Sequence, residues 1–193
     1  MILYAATGNR GKLEEFVRAS GKEIEVLPLP GLSLLPPCPE TGRSFEENAR
    51  RKAQHCSRGA PGLVFADDSG LEVAVLEGAP GVYSARYAGP GASDEANNDR
   101  LLAALAGVPP AGRAARFVCV IALAREGEVL STFEGVAEGV ILDAPRGAAG
   151  FGYDPLFLFP ALGATFAEIT PEQKWAHSHR GKAFRRMTAY LLD

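Results

Sequence analysis

A chain of 193 residues with 47% hydrophobic and 22% charged residues suits one ordinary globular domain, 1–193, with room for two lobes and a real core. A formal net charge of -3 excludes a general nucleic-acid coat, because backbone binding needs a broad basic surface. It leaves room for a small anion held by a few local cations.

Cys38, Cys56 and Cys119 are far apart and form no CxxC, so they read as free thiols in a reducing compartment. The first residues lack the basic and long apolar regions of a secretory signal. The longest clean apolar run, 117–124, is of strand length, well short of the roughly 20 residues a membrane helix needs. The expectation is a cytoplasmic, soluble protein with no membrane partner.

In chain order, 2–6 reads as a short apolar strand, 7–11 as a turn and 12–20 as a helix. Residues 23–28 alternate charged and apolar side chains, as a half-exposed strand does. A loop rich in Pro and Gly follows over 29–42. Ser44-Phe45-Glu46-Glu47 fits a capping box, and Phe45, Ala49, Ala53 and Cys56 then repeat at helical spacing. Lys52, four residues after Asn48, sits at the edge of that stripe and can reach sideways. Residues 63–66 suit a central strand ending in Asp67-Asp68-Ser69-Gly70, with another strand over 71–76. A Gly/Pro-rich loop spans 78–91, Ser93 caps a helix over 94–106, and 116–124 and 128–142 read as long strands joined at Glu126-Gly127. Residues 144–155 form a loop, and the chain is helical from about Pro171. This order argues for an α/β protein with a mixed sheet, and the long antiparallel pair argues against a pure dinucleotide-binding sheet.

Several segments carry possible chemistry. Thr7, Gly8, Asn9, Arg10, Gly11 and Lys12 join a strand to a helix, where backbone N–H groups and the helix dipole attract an anion. The segment is not a Walker loop, since the glycine spacing is short and Leu13 stands where a metal-binding hydroxyl would be. Taken alone it is equally a tight turn. Asp67 and Asp68 lie at the expected carboxyl end of the central strand and point to opposite faces, so one of them faces a given site. They could hold a divalent cation, or they could cap a turn. Glu40 could add a second metal oxygen or be merely solvated. Phe151-Gly152-Tyr153-Asp154 leaves room for a flat ligand to stack, or is a turn that buries its aromatics. Lys174, His177, Ser178, His179, Arg180 and Lys182 form a basic cluster without zinc-ligand spacing, or a basic surface helix.

Together and in this order, Ala6-Thr7-Gly8-Asn9 with Lys12, Ser44 to Ala49 with Lys52, Ala66 to Leu71, Gly78 to Tyr87, Phe151 to Pro155, and Ser178 to Gly181 resemble the inosine triphosphate pyrophosphatase family, the dITP/XTP pyrophosphatases. The resemblance covers nearly the whole chain; the stretch 34–39 is its least typical part. It implies hydrolysis of ITP, dITP and XTP to monophosphate and pyrophosphate. It implies an elongated mixed sheet flanked by helices, two lobes around a central cleft, and a homodimer. It makes Asp68 the general base and a Mg²⁺ ligand with Glu40, and gives the phosphates to Lys12 and Lys52 with turn contacts from Thr7 to Asn9. Ser69, Phe151 to Asp154, Lys174, His179 and Arg180 would line the nucleoside site. The partner is then a small purine nucleoside triphosphate, not a nucleic-acid polymer. Two other readings stand beside it: a related pyrophosphatase for other modified nucleotides, and a nucleotide-binding module without turnover.

Overall fold

The computed structural model describes residues 1–193. The elements in order are β1 (Ile2–Ala5), α1 (Arg10–Arg18), β2 (Glu25–Pro28), α2 (Phe45–Ser57), β3 (Val64–Val73), α3 (Asp94–Ala104), β4 (Ala114–Arg125), β5 (Glu128–Ile141), β6 (Phe157–Phe159), β7 (Ala164–Thr165), α4 (Pro171–His177) and α5 (His179–Leu192). The strands form one seven-stranded sheet in the order β2-β1-β3-β4-β5-β6-β7. Its β2, β1 and β3 run parallel, whereas β5, β6 and β7 run antiparallel, so the sheet is mixed as expected.

The chain divides into two compact units. The first comprises Met1–Asp68, Cys119–Gly135 and Arg180–Asp193. Within it β1 pairs Ile2 with Glu25 on one side and Tyr4 with Val64 on the other. Phe16, Phe65 and Phe184 bring α1, β3 and α5 into one aromatic contact, Phe16 meeting Phe65 edge-on at 4.9 Å between centroids. Helix α2 begins where its cap requires: Glu47 N–H donates to Ser44 Oγ at 3.1 Å. The reciprocal half of the box is displaced by one residue, because Glu47 Oε2 accepts from the Arg43 N–H instead. Phe45, Ala49, Ala53 and Cys56 are all buried, as their spacing predicts.

The second unit comprises Ser69–Val118 and Val136–His179. Its core gathers Leu71, Val73, Leu101, Leu105, Ala137, Ile141, Leu156 and the rings of Phe117, Phe157 and Phe166. Ser93 caps α3 through the Ala96 N–H, at 3.2 Å. Val140 and Ile141 of β5 pair with Leu158 and Phe157 of β6.

Four expectations change. Strand β3 does not stop before Asp67: it runs unbroken through Asp67-Asp68-Ser69-Gly70 to Val73, so the two expected strands and their turn are one element. Both carboxylates therefore stand in mid-strand, not at a carboxyl end. Helix α1 starts at Arg10, two residues earlier than expected, capped by Asn9 Oδ1 on the Lys12 N–H at 3.0 Å, so Arg10 and Gly11 belong to its first turn rather than to the preceding turn. Short β6 and β7, placed in no strand by the sequence, complete the sheet. The terminal helix is two helices, broken at Ser178, whose backbone is extended. Cys38, Cys56 and Cys119 are free thiols, and no helix is long and apolar enough to cross a membrane.

Candidate active site

In the first unit, the alternation of side chains along β3 separates its two aspartates, and each meets its own lysine. Asp67 Oδ2 lies 2.8 Å from Lys12 Nζ and 3.9 Å from Arg180 Nε. Asp68 Oδ1 lies 2.9 Å from Lys52 Nζ, and its Oδ2 accepts from Asn48 Nδ2 at 3.1 Å. Lys52 Nζ also reaches Glu40 Oε1 at 3.1 Å, so one ammonium joins the two carboxylates expected to serve together. Arg180 is 2% exposed and pairs with Glu15.

These charges set the protonation states. Burial would raise the carboxyl of Asp67, but Lys12, Arg180 and Lys52 outweigh it and hold the group at about 2. At Asp68 burial wins over Lys52, Lys12 and the Asn48 hydrogen bond, and the carboxyl sits above its ordinary range. Burial would lower the Lys52 ammonium, but Asp68, Asp67 and Glu40 together raise it. Adjacent carboxylates thus differ: one is held firmly anionic by its cations, and the other is raised by burial.

No cluster of three or more His, Cys, Asp or Glu side chains is placed to hold a metal. Asp68 and Glu40 are oxygen donors of the kind a hard cation takes. Mg²⁺ usually binds through one or two carboxylates, completing its shell with water and substrate phosphate, so this pair fits it.

In the second unit, the Phe151–Asp154 loop is held from several directions. Asp154 Oδ2 accepts from the Phe151 N–H at 2.9 Å and pairs with the buried ammonium of Lys174. That ammonium lies 4.7 Å from the Phe151 ring centroid, a cation–π contact. Tyr153 is buried and its hydroxyl donates to Ser84 O at 2.8 Å. From α3, Asp94 Oδ2 accepts the Gly152 N–H at 2.6 Å and Asn98 Nδ2 donates to Gly152 O at 3.0 Å. Gly152 has φ +62°, a left-handed conformation that favours glycine. His179 is buried and stacks on Phe117, 4.7 Å between centroids at 10°. Lys174, Ser178, His179 and Arg180 are therefore interior residues, not part of a basic surface helix.

The structure thus brings together Asp68, Lys52 and Glu40, and separately Phe151, Asp154 and Lys174. Lys12 stands with Asp67 and Arg180. Thr7, Gly8 and Asn9 form the turn before α1, where Asn9 N–H donates to Thr7 Oγ1 at 3.2 Å. Ser69 follows Asp68 in β3 and Arg10 pairs with Glu14 on the exposed face of α1. Arg180, expected with the nucleoside residues, belongs to the unit that holds the aspartates. Sequence reasoning gave no role to Asn48, Asp94 or Asn98. For Asn48 a signal existed: four residues before Lys52, it shares that helix face. For Asp94 and Asn98 none did, since their target is more than fifty residues away in the chain.

A mixed-sheet α/β fold with neighbouring carboxylates on separate lysines defines the class. The solved Ham1 protein of Staphylococcus aureus superposes with a TM-score of 0.86 at 41% identity, over 99% of this chain and 98% of that one. A HAM1 protein from Coxiella burnetii gives 0.85 at 41% identity, over 100% and 98%. The family model described as the Ham1 family matches residues 3–190, and the chain belongs to that family. The dITP/XTP pyrophosphatase of Syntrophobacter fumaroxidans is 52% identical over 94% of this chain and 78% of its own length. That of Geobacter sulfurreducens is 50% identical over 98% and 96%.

Proposed function

We infer that this protein is a hydrolase that converts ITP, dITP and XTP to the monophosphate and pyrophosphate, clearing such nucleotides from the pool. Relatives named for that activity match across nearly the whole chain. The observation that carries the chemistry is the Lys52 ammonium shared by Asp68 and Glu40.

Asp68 takes the proton of the attacking water, a role that suits a carboxyl moved above its ordinary range by burial. Its oxygens each accept one hydrogen bond, from Lys52 and Asn48, and retain lone pairs for water. Lys12 and Lys52 offset the charge of the triphosphate and of the departing pyrophosphate, with N–H groups of the Thr7–Asn9 turn beside the N-terminus of α1. Asp68 and Glu40 would hold Mg²⁺, which when bound neutralises phosphate charge and polarises the phosphoryl oxygen.

Phe151 offers a face for the base, and Lys174 and Asp154 fix that ring and its loop. Hypoxanthine and xanthine present a 6-oxo acceptor where adenine presents an amino donor. A ring N–H of His179 suits the acceptor and would lose that bond against adenine, which is a strong basis for discrimination, whereas Arg180 stays paired with Glu15 beside Asp67. A homodimer in the cytoplasm is part of this reading, and three free thiols agree with a reducing compartment.

A panel of nucleoside triphosphates tests it. The expected result is pyrophosphate release from ITP, dITP and XTP, little from ATP, and loss of activity on chelation that Mg²⁺ restores. Release of orthophosphate overturns it, preference for a modified pyrimidine shifts the substrate class, and tight binding without turnover makes the protein a binding module.

A further inference from the structure

We propose that Asn48 is a positioning residue that fixes the carboxylate plane of Asp68, and that the peptide N–H of Gly42 fixes Asn48 in turn. The inference rests on the reading of Asp68 as the proton acceptor. Asn48 is 1% exposed, and both ends of its amide are engaged. Its Oδ1 accepts from the Gly42 N–H at 2.8 Å, and its Nδ2 donates to Asp68 Oδ2 at 3.1 Å. A peptide N–H can only donate and an ionised carboxylate can only accept, so the amide has one orientation that satisfies both neighbours. Chemistry settles which atom is nitrogen.

The reference point is itself held. On one side of Gly42, Arg51 of α2 donates to Thr41 Oγ1 at 2.7 Å; on the other, the Arg43 N–H donates to Glu47 Oε2 at 2.7 Å. Gly42 is thereby pressed onto α2, and a Cβ there would meet Glu47 Cβ at 2.9 Å and overlap the Asn48 amide oxygen. Lys52, one helical turn after Asn48, donates to the other Asp68 oxygen at 2.9 Å. Two donors from one face of one helix therefore grip the two oxygens of one carboxylate. Rotation of that carboxylate would break both bonds, and a general base works only when its lone pair is aimed at the proton it takes.

The test uses Asn48→Ala, Asn48→Leu and Asp68→Asn in the full-length protein, with kcat, KM for ITP and the melting temperature measured for each. Asn48→Leu keeps the approximate shape and removes the donor to Asp68 without placing a second charge beside it. We expect kcat to fall roughly 10- to 100-fold in both Asn48 variants, the worth of one hydrogen bond to a charged group, with KM within about threefold of the parent. A purely structural Asn48 would show its effect in the melting temperature and leave kcat of the folded Asn48→Leu protein within about twofold, which overturns the proposal. Should one of the two variants fail to fold, the other decides. An Asp68→Asn variant with full kcat would instead sink the assignment of Asp68, so the two failures are distinct.

Discussion

Asp67 and Asp68 are neighbours in one strand, yet Asp67 is paired to Lys12 and Asp68 to Lys52, at 2.8 and 2.9 Å. The pleat of β3 sends successive side chains to opposite faces, which gives two adjacent carboxylates separate environments. One group can then serve the fold and the other the reaction. Asp68→Asn is expected to lower kcat by roughly 100- to 10,000-fold, the range for loss of a general base. Its far-UV spectrum and melting profile should stay close to the parent's. Near-wild-type turnover in a folded Asp68→Asn protein would remove the residue from its role.

Asp67 has a different predicted phenotype. It is fully buried, firmly ionised at about 2, and it faces Lys12 and Arg180. Replacing it with alanine leaves buried cations without that charge, a change that typically destabilises by about 3–5 kcal/mol. Urea denaturation of Asp67→Ala should report a loss of that order, and a loss below about 1 kcal/mol would mean that Asp67 is not a structural anchor. Burial decides this: an exposed pair of the same length would be worth little.

The contrast also shows what was legible in the sequence. The start of α2 at Ser44, its buried stripe and the hairpin turn at Glu126-Gly127 were read correctly, because caps, helical periodicity and turn residues are local signals. The course of β3 was misread because acidic residues, serine and glycine in succession disfavour a strand. What stabilises them there comes from Lys12, Lys52 and Arg180, which local patterns cannot see. Strands β6 and β7 were missed because three and two residues are too few to show a period. The burial of Lys174 was hidden too: its partner Asp154 lies twenty residues earlier.

A pH-dependent contribution is expected at Glu168. Hydrogen bonds from Arg146, and then from the Thr165 N–H, hold its carboxyl below the usual range. A folded value below the unfolded one means that stabilisation is full above the unfolded value, about 4.3, and is lost as pH falls through the folded one. Glu168→Gln should therefore melt somewhat below the parent at pH 7, and the gap should close as the pH drops below about 4. A gap of constant size from pH 7 to 3 would show that the charge of Glu168 contributes nothing.

The grip of α3 on Gly152 predicts a binding phenotype. Asp94 takes the N–H of Gly152 and Asn98 gives to its carbonyl, so one helix fixes both sides of the residue between Phe151 and Tyr153. Removing both side chains leaves the Phe151 ring free to leave the plane in which Lys174 holds it, while Asp68 and Lys52 are untouched. The Asp94→Ala/Asn98→Ala variant should raise KM for ITP roughly 5- to 20-fold, as loss of one or two modest hydrogen bonds would, with kcat within about threefold. Preference over ATP should narrow as well, since discrimination depends on a base held in register with its donors. Equal losses in kcat and no change in KM would place the effect of α3 in the chemical step, contrary to this account.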